Sequence, residues 1–422
     1  MSLDSITANS LPPVNCSDTL NRHDLAYLGI GAEQPDTPRE ITRKMRNLPM
    51  AAPGKQKYML YNNMMYTVAS HLVEVKTGKS FSAFLRERFF EPLGMTSTYL
   101  QASSAIASGQ SNRLASGHQF NEESDTWDEF DAFDSPEAQG AGSIVTSSAD
   151  YIKYVQAMLH SRHPISADSR KALITPRIMT DTEDNDPDPF CSPELYCLGW
   201  GTYYYRGHQV VIHEGLIDGF GSSHFFLPAH DFGAVILGNA DGAEQITWIL
   251  ARELIDATLG IPEADRPDWI ALQAEKLAKD DSDSGDELEE LRERLKSGQG
   301  SDKPIPTLDA FVGNYVHPGY GTFKVEVPDG DLYIDATDRG FPCTFTFEHM
   351  RTWQDANEQG SPIRSSMVAN LVPTRGSPDE YLPAQFVFGA LGESGESVRA
   401  TKMAILLEDT LPDEEMIWFD RA

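Results

Sequence analysis

Two side chains in this sequence are of types that can hand on a proton. Tyr61 heads Tyr61-Asn62-Asn63, directly before a long run of helical apolar spacing, and His213 heads His213-Glu214-Gly215 at the end of a strand-like run. An imidazole changes charge near neutrality by itself, whereas a phenol, ionising near pH 10, needs a neighbouring cation before it can act as a base. Each residue also has a plainer reading, Tyr61 as a packing residue with a satisfied hydroxyl and His213 as a buried, hydrogen-bonded imidazole. The usual nucleophile signatures are missing. No serine has a lysine three residues on, there is no Gly-x-Ser-x-Gly, and His213-Glu214 runs into Gly215, Leu216 and Ile217 instead of completing His-Glu-x-x-His. No metal and no cofactor are therefore expected. Cys16, Cys191, Cys197 and Cys343 show no Cys-x-x-Cys spacing; Cys191 and Cys197 could bridge locally, but free thiols are the default without a secretion signal. His23-Asp24, adjacent on an irregular stretch, does not make a triad.

The elements that must position these residues follow from periodicity. From Asn62, the apolar Met65, Val68, Ala69, Leu72 and Val73 predict an amphipathic helix that stops at Gly78. A shorter helix over 80–90 runs into Pro92-Leu93-Gly94-Met95. Residues 146–150 offer capping side chains to a helix carrying Tyr151, Ile152, Val155, Met158 and Leu159. After Leu198 short aromatic and β-branched runs, 199–205, 209–213, 224–227 and 232–237, predict an antiparallel meander, followed by a helix over 243–259. Residues 261–303 shift to charged sequence and read as a partly helical linker. Strand-like runs return after Pro304, with Asp329-Gly330 as a hairpin turn. Residues 1–53 read mainly as loop.

Composition narrows the partners. The 422 residues carry 64 acidic against 34 basic side chains, a formal charge of -30, which repels nucleic acid and anionic membranes. With 40% hydrophobic residues and no apolar run near the ~20 residues of a membrane span, a soluble chain of one large and one small domain is expected. The N-terminal run has neither the basic start nor the apolar core of a signal peptide, so a cytoplasmic location is expected.

The order Tyr61-Asn62-Asn63, the helix through Thr77-Gly78, and then Phe90-Glu91-Pro92-Leu93-Gly94-Met95 resembles the serine β-lactamase and penicillin-binding-protein family, in particular class C β-lactamases, D-aminopeptidases and related esterases. His213-Glu214-Gly215, followed by Asp218-Gly219-Phe220-Gly221-Ser222, is similar to the Lys-Thr-Gly or His-x-Gly strand bordering that family's site. Tyr315-Val316-His317-Pro318-Gly319-Tyr320-Gly321 looks like the start of the small β-barrel domain often appended to these enzymes, and Asn21-Arg22-His23-Asp24-Leu25 resembles a stretch between the family's nucleophile and its Tyr. The resemblance covers most of residues 21–422.

It implies an α+β fold: a β-lactamase/transpeptidase-like antiparallel sheet flanked by helices over 1–260, N-terminally incomplete, the linker over 261–303, and a lipocalin-like β-barrel over 304–422. It implies Tyr61 as proton shuttle, His213 across the cleft on Tyr or substrate, Asn63 on the substrate's acyl side chain, and the backbone after Gly215, the Leu216 N–H, as half of an oxyanion hole. The expected activity is a serine hydrolase or acyl transferase acting on a small-molecule ester, amide or β-lactam, here in a shortened form without Ser-x-x-Lys. A non-catalytic binding or scaffold protein, and a non-covalent acid–base enzyme of secondary metabolism using Tyr61 and His213, stand beside it. Substrate and oligomeric state are not legible.

Overall fold

The structure is a computed structural model that describes residues 23–50, 60–121, 124–180, 187–355, 361–374, 379–389, 399–408 and 415–422, with the backbone alone over 280–286. The loop expected over residues 1–53 falls outside the described residues at 1–22 and 51–53, and so do Cys16 and the Asn21-Arg22 part of Asn21-Arg22-His23-Asp24-Leu25. By its internal contacts the chain divides into two units, one of Thr37–Thr42 and Pro53–Glu275, the other of His23–Asp36, Arg43–Ala52 and Lys276–Ala422.

In the first unit, α1 (Asn63–Thr77) forms where the sequence places it. Asn62 caps it by accepting from the Met65 N–H at 2.9 Å, and Gly78 ends it at φ 67°, a left-handed turn that suits glycine. The shorter helix, Phe81–Leu85, is capped by Ser80, continues as a wider i to i+5 turn over Arg86–Phe90, and stops at Gly94. Ser147 accepts from the Asp150 N–H to start α2 (Ser148–His160).

A hairpin of β1 (Gly117–Asn121) and β2 (Thr126–Phe130) precedes the six-stranded antiparallel sheet. The sheet runs in order through β3 (Ile178–Met179), β4 (Leu195–Tyr196), β5 (Gly201–Tyr205), β6 (His208–Ile217), β7 (Phe220–Leu227) and β8 (Phe232–Gly238). Next comes α3 (Ala243–Leu259). Strand alternation sorts the side chains into two layers. Val210, Ile212, Phe225 and Leu227 pack with Ala251 and Ile255 of α3, while Val211 and Phe226 pack with Val155 and Met158 of α2.

One expectation is corrected here. His213 does not end its strand: β6 runs on to Ile217 and turns through Asp218-Gly219 into β7, with His213 opposite His224. Gly215 sits in register opposite Ser222, whose Oγ would lie 2.7 Å from any Cβ added there.

The segment 261–303 contains α4 (Trp269–Lys296), whose Trp269 is buried with Tyr205, Ala251 and Ile255. In the second unit, β9 (Ser301–Asp302) pairs with the end of one strand of a closed eight-stranded antiparallel barrel. Its strands are β10 (Gly313–His317), β11 (Gly321–Glu326), β12 (Tyr333–Ala336), β13 (Cys343–Gln354), β14 (Ile363–Pro373), β15 (Glu380–Phe388), β16 (Ala400–Ile405) and β17 (Ile417–Arg421). The β12–β13 pairing closes the ring around buried Phe323, Phe345, Phe386 and Phe419, as the lipocalin-like reading expects. Among the described residues no helix is long and apolar enough to cross a membrane.

Candidate functional site

The site is built on the α2 side of β6. Alternation places His213, Gly215 and Ile217 on that face, and the register brings His224, Ser222 and Phe220 of β7 opposite them. His213, half-buried, lies between two rings: Tyr196 at 6.3 Å and His224 at 5.9 Å, the two imidazoles inclined by only 25°. His224 is wedged more deeply. Trp200 stands edge-on to it at 5.0 Å, and its Nε2 lies 3.2 Å from the Tyr151 hydroxyl of α2. Burial pushes the His213 pKa below its ordinary value and that of His224 down to about 3, the latter helped by His213 itself. Both rings are neutral at physiological pH, so His213 is poised to accept a proton rather than to hold a charge.

The backbone of β6 supplies donors beside this ring. Tyr205–His208 and Ile217–Phe220 each close a two-residue loop, and in such a hairpin the closing pair exchanges both N–H···O bonds. Counting back from each turn, Ile217, Gly215 and His213 direct their N–H groups toward β7, and His208, Val210 and Ile212 toward β5. Because β5 begins at Gly201 opposite Ile212, the next N–H groups on that side, those of Glu214 and Leu216, point past its end.

Tyr61 is half-buried in the extended residues ahead of α1, and Asn63 is that helix's first residue. Asn62, not Asn63, serves as the cap, which leaves the Asn63 side chain outside the capping interaction. The helix reaches the His213 neighbourhood through Tyr66, whose hydroxyl lies 3.2 Å from that of Tyr196. Tyr66, Tyr196, His213, His224 and Tyr151 thus form a connected series of rings from α1 across the sheet to α2.

Sequence reasoning missed four of these. His224 was within reach, because a two-residue turn at Asp218-Gly219 fixes 213 against 224 by counting. Tyr196, Tyr66 and Tyr151 come together only through tertiary packing. Glu194 was missed too: its carboxyl fills the space beside Gly201 that a side chain there would occupy, and burial, then the charge of Glu214, pushes its pKa up to about 7. Among the described residues no cluster of His, Cys, Asp or Glu is arranged to hold a metal, and Cys197 and Cys343 are free thiols.

Comparison with known proteins agrees with this architecture. A family model described as Beta-lactamase matches residues 17–257, more than half of the chain. An unguisins hydrolase of Aspergillus violaceofuscus is 34% identical over 78% of this chain and 60% of its own length. A second unguisins hydrolase, of Aspergillus campestris, is 31% identical over 95% of this chain and 70% of its own. The chain therefore spans under two thirds of the first relative. An octameric penicillin-binding protein homologue from Pyrococcus abyssi is 18% identical over 96% of this chain and 77% of its own, with a TM-score of 0.49.

Proposed function

Because the chain belongs to the β-lactamase family, we propose that the α2 face of β6 is the acyl-substrate site of a hydrolase acting on amide or ester bonds. The observation that carries this reading is the juxtaposition on one strand of a neutral imidazole, His213, a side-chain-free position, Gly215, and a backbone N–H, that of Leu216, directed past the end of β5. An acyl carbonyl over Gly215 would have its oxygen polarised by the Leu216 N–H, while His213 and Tyr61 take up and return the proton of the attacking and leaving groups. Asn63 contacts the acyl side chain. The hydroxyl nucleophile that such acyl transfer requires is assigned to no residue here, because no serine of these 422 residues has a lysine three positions on. Both similar Aspergillus proteins are named unguisins hydrolases, so hydrolysis is the activity carried over and unguisins are the first compounds to offer.

The test is incubation of the purified chain with unguisins, a chromogenic short-chain ester and a fluorophosphonate probe, with mass spectrometry to locate any adduct. We expect turnover, one labelled serine, and a loss of about 100-fold or more in Tyr61→Phe and in His213→Gln at unchanged fold. A folded chain with no turnover and no adduct sinks the reading.

A further inference from the structure

We infer that the end of β6 beyond Gly215 is a side-chain subsite for a large apolar group, aromatic or branched aliphatic, with Ile217, Phe220 and Phe130 as its specificity-determining residues. The inference rests on the acyl-site reading above and adds the class of substrate.

Along the His213 face, β6 presents His213, Gly215 and Ile217 in turn, so with a strand rise of about 3.4 Å per residue the row spans roughly 14 Å. Its middle is low. Gly215 has no side chain, and the Ser222 Oγ opposite leans into the space a Cβ would take. Its far end is walled. Phe220 pairs with Ile217 across the turn, and Phe130 of β2 stands edge-on to Phe220, 6.3 Å away with the rings at 90°.

Two glycines make that wall possible. A Cβ on Gly117 would come within 2.6 Å of the Phe130 ring and 2.9 Å of the Phe220 ring, and one on Gly219 would meet the Gly117 Cα at 3.1 Å. The β1–β2 hairpin can therefore sit directly on the β6–β7 turn and bring Phe130 to Phe220. Ile217 remains 42% exposed beside these rings, an apolar surface that nothing in the described residues covers.

Charge points the same way. On this face the residues from His213 to Ile217 and from Phe220 to His224 include no carboxylate, lysine or arginine, and the two imidazoles are neutral. Glu214 alternates onto the opposite face, where its charge acts on Glu194. A charged substrate side chain laid along the row would lose water without gaining a partner, whereas a phenyl or isobutyl group would bury itself against Ile217, Phe220 and Phe130.

The experiment uses the full chain labelled with ¹⁵N-histidine, the His213 imidazole signals being identified by their loss in His213→Gln. Two neutral amides are titrated, N-phenylacetylglycinamide and N-acetylglycinamide, which differ by one phenyl ring. We expect both to move the His213 signals, the phenylacetyl compound binding about 10- to 50-fold tighter. That preference should shrink to under about 5-fold in Ile217→Ser, at a half-exposed position, and in Phe130→Leu. Equal affinity of the two amides at the His213 signals, or a preference that survives Ile217→Ser and Phe130→Leu, overturns the subsite and leaves the acyl-site reading standing. If neither amide moves the His213 signals, the acyl-site reading falls and the subsite with it.

Discussion

His213 and His224 face each other across two strands, and their shared burial makes a prediction about pH. A histidine whose pKa is lowered by desolvation is neutral above that value and charges only as the pH falls through it. If His213 accepts a proton during turnover, kcat/KM should fall on the acid side with a midpoint below the 6.5 of an unburied imidazole. A midpoint at or above 6.5 would remove His213 from that role. Motif order alone singled out Tyr61, His213 and Gly215 in the sequence. Their orientation was not legible there, since it depends on register. Glu194 was not legible at all: an acidic residue next to Pro193 looks like surface, and only the space left by Gly201 lets its carboxyl lie against β5.

The helix that Tyr61 precedes shows what periodicity determines and what it leaves open. Apolar spacing and Gly78 define α1 almost to the residue, because cap and stop are local chemistry. Locality also separates two neighbouring asparagines. Asn62 satisfies an otherwise orphaned N–H, so Asn62→Ala should lower stability by about 1 kcal/mol in a denaturant titration. Asn63→Ala, one position on, leaves the Asn62 cap in place and should weaken substrate binding, read as a raised KM. Equal losses of stability would show that the two side chains share the capping work. By contrast, the wide turn at Arg86–Phe90 and the run of β6 past His213 were invisible locally. Phe90 is buried at the end of the first, and the second is held by its ladder to β7.

At the scale of the whole molecule, the sequence located the sheet and the barrel but not the limits of the units. His23–Asp36 belongs with the barrel because the His23 backbone N–H donates to Glu408 Oε1 at 2.8 Å and its Nδ1 meets the Tyr320 hydroxyl at 2.6 Å, contacts nearly 300 residues or more apart in sequence. No window of sequence contains such a pair.

Two groups of the first unit with large shifts contribute to how stability follows pH, and they pull in opposite directions. His224, with a folded pKa of about 3 against 6.5 unfolded, binds its proton later in the folded state, so it costs stability as the pH falls below 6.5 and stops doing so near 3. Glu194, about 7 folded against 4.5 unfolded, holds its proton longer in the folded state; its contribution is complete below 4.5 and is lost as the pH rises to 7. Between 4.5 and 6.5 these two slopes oppose each other, whereas below 4.5 the His224 loss continues without the opposing gain from Glu194. Glu194→Gln removes one slope. Self-repulsion from the -30 formal charge changes little between parent and variant, so their difference isolates the buried carboxyl. Relative to its own difference at pH 4.5, the variant should gain on the parent by on the order of 2 kcal/mol at pH 8, a figure reduced for the partial exposure of Glu194. Urea titrations of both proteins at the two pH values measure this directly, and an identical difference at each would mean that the Glu194 carboxyl does not change its charge between them.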